Sequence, residues 1–186
     1  DLNICVSKML ANTLSAFTQN KKIYTLYNGV DTKKFFANRN TSFNKSSNKK
    51  LYEIGCIGNF WPSKGQIILL KAVSKLEDMI KSKIQITFVG TGPTREMNIE
   101  YAKHYLSDLN IVFIDHIDHD KLVDFYNSLD LFVLPSFYEA LGCVYLESIA
   151  CGVPFIGVKG QGIDEWVPDD LKAVSYTHLR AHETRG

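Results

Sequence analysis

From Leu51 onward, short runs of β-branched and aromatic residues alternate with stretches of helical period, and few architectures accept that alternation. Residues 52–58 read as a strand ending in Gly58. Residues 66–80 read as a helix with Leu69, Ala72, Val73, Leu76 and Ile80 on one face, and residues 84–89 as a second strand closed by Gly90. The rhythm then repeats. A helix carrying Tyr101, Ala102, Tyr105 and Leu109 leads to a strand at 111–114, a helix with Leu122, Phe125 and Leu129 to a strand at 131–134, and a helix through 144–150 to a strand at 155–158. Five β units joined by helices predict a parallel sheet covered on both faces through right-handed crossovers, an α/β, doubly wound, Rossmann-like domain. Upstream, residues 3–6 and 23–27 read as strands flanking a helix over 8–17, and the polar stretch 38–50 (NRNTSFNKSSNKK) has the composition of a loop. In a sheet of this kind ligands bind beyond the carboxyl ends of the strands, where strand order reverses. The loops to inspect are therefore 59–65, 90–94, 115–120, 135–142 and 159–162.

Composition removes several other classes. The longest apolar stretches, 131–135 and 140–146, fall short of the roughly 20 residues of a membrane-spanning helix. With 12 Gly, 5 Pro, 12% aromatic residues and no fixed-period repeat, collagen-like, coiled-coil and disordered chains are poor fits. The net charge of +1 hides an asymmetry: residues 1–50 hold nine Lys/Arg against two Asp, a balance of +7, and the remainder carries −6. Lys45, Lys49 and Lys50 read either as decoration of a solvated loop or as attraction to an anionic partner or membrane surface. No basic stripe points to nucleic acid. Cys5, Cys56, Cys143 and Cys151 form no CxxC pair and sit among apolar residues, which predicts buried free thiols and a reducing, cytoplasmic compartment. Asp1 opens in what reads as mid-domain. The terminal run 173–186 (AVSYTHLRAHETRG) has no apolar period and resembles translated adaptor sequence, which sets His178 and His182 aside as ligand candidates.

Two familiar phosphate loops are absent. Gly90-Thr91-Gly92-Pro93 follows a strand and opens a helix, but Arg95 stands where a dinucleotide fingerprint needs its third glycine, and Ser63-Lys64-Gly65 lacks the order of a Walker loop. The strongest signal is 136–157, SFYEALGCVYLESIACGVPFIG. Glu147 is its only charge between Ala140 and Val158, and a carboxylate so surrounded needs a partner. That partner is either a backbone amide or Lys159, giving a structural carboxylate, or the vicinal hydroxyls of a ribose. Gly142, Cys143 and Val144 fall at the start of the helix, where amides lack intrahelical acceptors and suit a phosphate, and Gly142 lets a ligand approach the backbone. Glu139 precedes that helix and Glu147 lies about two turns behind. A competing constellation, Asp115-His116-Ile117-Asp118-His119-Asp120, has the residue types of a metal site. Read structurally, Asp118 is a helix N-cap with further acids near the helix start.

Two glutamates separated by seven residues, with SxxEAxG before the first and ESxACGxP around the second, resemble the signature of glycosyltransferase family 4, retaining enzymes of the GT-B fold. Asn28-Gly29-Val30-Asp31 with Phe35, Gly58 with Lys64-Gly65, Gly90-Thr91-Gly92-Pro93 and Asp130-Leu131-Phe132-Val133-Leu134-Pro135-Ser136 agree in order, so the likeness runs from about Asn3 to Trp166. The resemblance implies the C-terminal, donor-binding half of a GT-B fold at 51–172, with 1–36 as a remnant of the acceptor domain and hinge, 37–50 as linker and 173–186 as a non-native tail. It implies transfer of a sugar from a nucleotide diphosphate such as a UDP- or GDP-sugar to the hydroxyl of a glycan or glycolipid acceptor in surface polysaccharide or lipopolysaccharide synthesis. No metal or other cofactor is required. Peripheral association with the inner face of a membrane fits that role, and the fragment alone is expected to be inactive. Alternatives are a GT-B sugar-nucleotide epimerase or a non-catalytic nucleotide-sugar-binding domain. By the same resemblance Lys64 contacts the donor diphosphate and Glu139 the transferred sugar, these two being the catalytic pair, and Glu147 holds the ribose. Gly58, Asn59, Leu141, Gly142, Cys143 and Val144 line the donor, and main-chain groups at His116 and Ile117 meet the base. An exposed lysine at a helix N-terminus is the plain alternative for Lys64. Asn59 replaces an arginine found in many members, which removes a bidentate phosphate clamp, and Leu141 replaces a phenylalanine, which changes pocket shape more than chemistry.

Overall fold

A computed structural model describes residues 2–19, 22–38 and 51–167. The expected linker, apart from Ala37 and Asn38, and the terminal tail lie outside the described residues, together with Lys45, Lys49, Lys50, His178 and His182. Two parallel strands, β1 (Asn3–Cys5) and β2 (Ile23–Thr25), flank α1 (Lys8–Phe17) and form a small sheet of their own. The larger sheet holds β3 (Tyr52–Ile57), β4 (Ile84–Val89), β5 (Asn110–Ile114), β6 (Leu131–Val133) and β7 (Phe155–Ile156), all parallel, in the order β5-β4-β3-β6-β7. Its helices are α2 (Gln66–Ser74), the one-turn α3 (Asp78–Lys81), α4 (Arg95–Tyr105), α5 (Leu122–Ser128) and α6 (Cys143–Ala150).

The β-branched and aromatic run of β4 is buried on both sides, as a strand inside a covered parallel sheet requires. Phe88 pairs in register with Phe113 of β5, and their rings stack with centroids 5.1 Å apart. The chain leaves β3 toward β4 and β5, then returns past β3 to β6 and β7. Right-handed crossovers on that path put α2 and α4 on one face and α5 and α6 on the other. Those are the pairs that pack on one another, so the sheet is doubly wound, as expected from the alternation of elements. Strand order reverses at β3, and the crevice of the fold opens between the carboxyl ends of β3 and β6.

Two expected helices end early. The amides of Lys75 and Leu76 turn back to the carbonyls of Ala72 and Val73 at 3.1 and 3.0 Å, and Glu77 is extended, so one helix over 66–80 becomes α2 plus one turn. The charged run Lys75, Glu77 and Asp78 gives that second half nothing to bury. Leu76 and Ile80 consequently face solvent, and Leu69, Leu70 and Val73 carry the buried stripe. In the other case α4 stops at Tyr105, and Leu106 takes the buried place expected of Leu109.

Candidate donor site at the β3–β6 crevice

The loop after β3 turns through a 3-10 helix, Pro62–Lys64, and Gly65 enters α2 at φ 69°, in the left-handed region. A Cβ on Gly65 would stand 2.2 Å from the Pro135 carbonyl oxygen, because the loop after β6 passes directly beneath. The two loops are joined by the Phe137 amide donating to the Ser63 carbonyl at 2.7 Å. Buried Gln66 donates to the carbonyls of Gly58 (3.3 Å) and Asn59 (3.0 Å) and holds the first loop closed. Its outer side rests on the 90–94 loop, where Phe60 donates to the Thr91 carbonyl (2.8 Å) and its own carbonyl accepts from the Thr94 amide (3.0 Å). Gly90-Thr91-Gly92-Pro93 thus buttresses the 59–65 loop.

With the loops in that register, Lys64 Nζ hydrogen-bonds and ion-pairs with Glu139 Oε2. The side chains are 23% and 14% exposed, so the pair lies at the mouth of the crevice rather than on open surface. The plain alternative for Lys64, an exposed lysine at a helix N-terminus, does not describe this arrangement. Glu139 is fixed from behind: its amide donates to Gln161 Oε1 at 2.7 Å, its carbonyl accepts from the Gly162 amide at 3.1 Å, and Gln161 Nε2 donates to the Phe137 carbonyl at 3.2 Å.

Gly142, at φ 76°, begins α6 without a side-chain cap. A Cβ there would come within 2.6 Å of the Tyr145 ring and 2.9 Å of Glu139 Cγ, so the glycine lets Glu139 fold over the helix start as well as exposing the backbone. Among the described residues, the amides of Gly142, Cys143 and Val144 have no acceptor. Buried Leu141 and Tyr145 anchor the turn, and Tyr145 donates to the Leu134 carbonyl at 2.6 Å. Burial, then the nearby Glu139 charge, drives the Tyr145 hydroxyl well above its ordinary range.

Two turns on, Glu147 Oε2 accepts from the hydroxyl of Tyr126 in α5 at 2.8 Å. That partner is neither Lys159, which is exposed, nor a backbone amide. Burial first, and the Glu147 charge second, hold the Tyr126 hydroxyl protonated far above the normal tyrosine range. Sequence reasoning missed Tyr126, Gln66 and Gln161. For Tyr126 a signal existed: four residues after Leu122 it shares that helix's inward face, and a tyrosine in a core needs a partner for its hydroxyl.

Cys5, Cys56 and Cys151 are buried free thiols, but Cys143, the first residue of α6, is exposed, and its sulfur accepts from Asn28 Nδ2 at 3.6 Å. His116 and Ile117 follow the edge strand β5, and no hydrogen bond or ion pair joins them to Lys64, Glu139 or Glu147. The acids around them are spent on cations. Asp115 pairs with Arg95 (2.6 Å), Asp118 with Lys121 (3.1 Å) and Asp120 with Lys34 (2.5 Å), and no group among the described residues can hold a metal ion. Asp118 does begin the 3-10 turn at His119–Lys121, although its carboxylate reaches Lys121 and not a helix amide.

A lysine paired with a carboxylate, open helix-terminal amides and a second carboxylate two turns on thus stand on the carboxyl edge of a doubly wound sheet. A family model described as "Glycosyl transferases group 1" matches residues 38–177. The capsular polysaccharide biosynthesis glycosyltransferase CapH of Staphylococcus aureus is 34% identical over 87 residues, covering 47% of this chain and 21% of that protein. The C-terminal domain of LpcC, a glycosyl transferase group 1 family protein from Francisella tularensis, superposes with a TM-score of 0.63 at 26% identity over 76% of each chain. Anabaena HepE in complex with UDP and glucose gives a TM-score of 0.74 at 20% identity over 90% of this chain and 46% of that one, a likeness of fold. The chain spans under half the length of CapH and of HepE. On the family match over most of its length, the chain belongs to the glycosyl transferases group 1 family.

Proposed function

We propose that this chain is the donor-binding part of a retaining, family 4 glycosyltransferase that moves a hexose from a nucleotide diphosphate to the hydroxyl of a glycan or glycolipid acceptor. The observation that carries the reading is the convergence of Lys64 and Glu139 beside the open amides of Gly142, Cys143 and Val144, at the point where strand order reverses. Sugar transfer breaks the bond between the anomeric carbon and the diphosphate, and negative charge grows on the departing oxygen. Fixed amides and a lysine aimed at that oxygen lower the barrier by about 3 kcal/mol for each well-placed donor. Before the donor binds, Lys64 is neutralised by Glu139; a bound diphosphate takes over the lysine and leaves Glu139 to accept from sugar hydroxyls. Glu147, held by Tyr126, keeps one carboxylate oxygen for the ribose. No step in this scheme uses a metal, and the charge stabilisation comes from Lys64 and the amides.

CapH, named for capsular polysaccharide biosynthesis, supports a role in surface polysaccharide assembly. No helix among the described residues is long and apolar enough to cross a membrane. We place the enzyme in the cytoplasm, at the inner membrane face where a glycolipid acceptor would lie, with residues 1–36 as the end of an acceptor-binding domain and 51–172 as the donor domain. The test is an assay of the full-length protein with isotopically labelled UDP- and GDP-sugars and glycan acceptors, read by proton NMR. Label appearing in a product with the donor's anomeric configuration supports the reading. Inverted product, epimerised free nucleotide sugar, or no turnover of either would overturn it.

A further inference from the structure

We propose that Tyr126 is a positioning residue for the ribose-binding carboxylate, and that the segment preceding the donor domain sets it through Phe35. This rests on the donor-site reading above. The Tyr126 side chain is fully buried in α5, yet its hydroxyl reaches across to α6 and donates to Glu147 Oε2 at 2.8 Å. Its ring has no freedom to point elsewhere. Phe132 of β6 lies edge-on at 5.8 Å, Phe125 at 6.3 Å, and Phe35, from the stretch between β2 and β3, at 6.1 Å. Phe35 is itself buried, and its neighbourhood is tied to α5 and the turn before it: Asn127 Nδ2 donates to the Phe36 carbonyl (3.0 Å), Asn127 Oδ1 accepts from the Asn38 amide (2.7 Å), and Lys34 pairs with Asp120 of the 3-10 turn.

A carboxylate on a helix face has several rotamers, and only some aim its oxygens at a ligand lying across the helix start. A charge-assisted hydrogen bond from a rigid phenol selects one of them in advance, so binding need not freeze it. Tyr126 engages Oε2, which leaves Oε1 for the two ribose hydroxyls. Because Phe35 packs on the Tyr126 ring, the segment that carries it sets where the phenol, and with it Glu147, is held, a physical link between that segment and donor affinity.

The assignment is tested by calorimetric titration of UDP and GDP, and of their 2′,3′-dideoxy analogues, into this chain and its Tyr126→Phe variant. Removing the hydroxyl is expected to raise the dissociation constant of the ribonucleotide about tenfold. The dideoxy analogue, which offers Glu147 nothing, should bind both forms within twofold. Adding Tyr126→Phe to a Glu147→Ala background should change neither nucleotide. Phe35→Leu, which loosens the ring and keeps the hydroxyl, should give a smaller loss confined to the ribonucleotide, so the proposal stays testable if the phenylalanine variant folds poorly. Equal affinity of UDP or GDP for wild type and both variants would overturn the role of Tyr126 and leave the donor site standing, and parallel weakening of ribo- and dideoxynucleotides would reduce Tyr126 to a packing residue. No binding of any nucleotide by the wild-type chain would overturn the donor-site reading itself, and this proposal with it.

Discussion

Replacing Gly65 with alanine should cost far more than its single methyl implies, and the structure separates the reasons. Two terms act. Gly65 sits at φ 69°, where an L-residue is disfavoured by about 1 kcal/mol. The new Cβ would also stand 2.2 Å from the Pro135 carbonyl oxygen, and the obstacle is backbone, so one of the two site loops must retreat by about 1.2 Å to restore an ordinary contact. That retreat breaks the 2.7 Å bond from the Phe137 amide to the Ser63 carbonyl, worth about 1 kcal/mol, and strains the packing by a similar amount. The total is about 3 kcal/mol, or about 9 °C in melting temperature for a domain of this size. Gly160 supplies the control: its φ is 80° and a methyl added there would meet nothing within 4 Å, so Gly160→Ala should cost only the conformational term, about 1 kcal/mol and about 3 °C. Differential scanning calorimetry of the two variants beside wild type reads the difference directly. Equal losses at the two positions would refute the claim that contact between the loops after β3 and β6 builds the site.

Glu139→Gln removes the anion that neutralises Lys64, so calorimetric titration should show UDP or GDP binding about two- to fivefold tighter while sugar transfer by the full-length enzyme falls; weaker diphosphate binding would contradict the pairing. Iodoacetamide at neutral pH should modify Cys143 first, since it alone of the four is exposed, whereas burial pushes the Cys151 thiol to about 11 and that of Cys56 higher still. Peptide mass mapping should show that order, with bound nucleotide slowing the Cys143 reaction. Glu165 accepts from the amides of Lys8 (2.9 Å) and Met9 (2.7 Å) at the start of α1 and from the Tyr27 hydroxyl (2.7 Å). Desolvation opposes ionisation, yet Tyr27 and the two amides together hold the Glu165 carboxyl below the ordinary glutamate range. A depressed pKa stabilises the fold above the unfolded value and ceases to do so as pH falls through the folded one. Glu165→Gln should therefore melt below wild type at pH 7, with the gap closing under about pH 4, as thermal melts across pH can show.

The alternation of strand and helix was legible because parallel strands buried on both faces must be continuous apolar runs, and 84–89 is one. Helix ends were less legible. The break after Ser74 depends on whether residues 75–80 find anything to bury, which is a tertiary question that periodicity does not answer. Within the site, Lys64, Glu139 and Gly142 stood out by motif, and folding brings them together. Gln66 and Gln161 did not, since a buried glutamine's role is fixed by carbonyls on other loops, far away in sequence. Glu147 declared its need for a partner by its apolar surroundings. Identifying that partner required knowing that α5 lies against α6, because Tyr126 reads as an ordinary core aromatic until the two helices are placed side by side.

The central claim, that the crevice between β3 and β6 binds a nucleotide diphosphate, is tested most directly by a crystal structure of the chain grown with UDP or GDP. The claim requires the terminal phosphate to accept from the amides of Gly142, Cys143 and Val144, Lys64 to have left Glu139 for the diphosphate, and the ribose hydroxyls to donate to Glu147 with Tyr126 still bonded to its other oxygen. A nucleotide seated elsewhere on the sheet, or in this crevice with Lys64 still paired to Glu139, would contradict it.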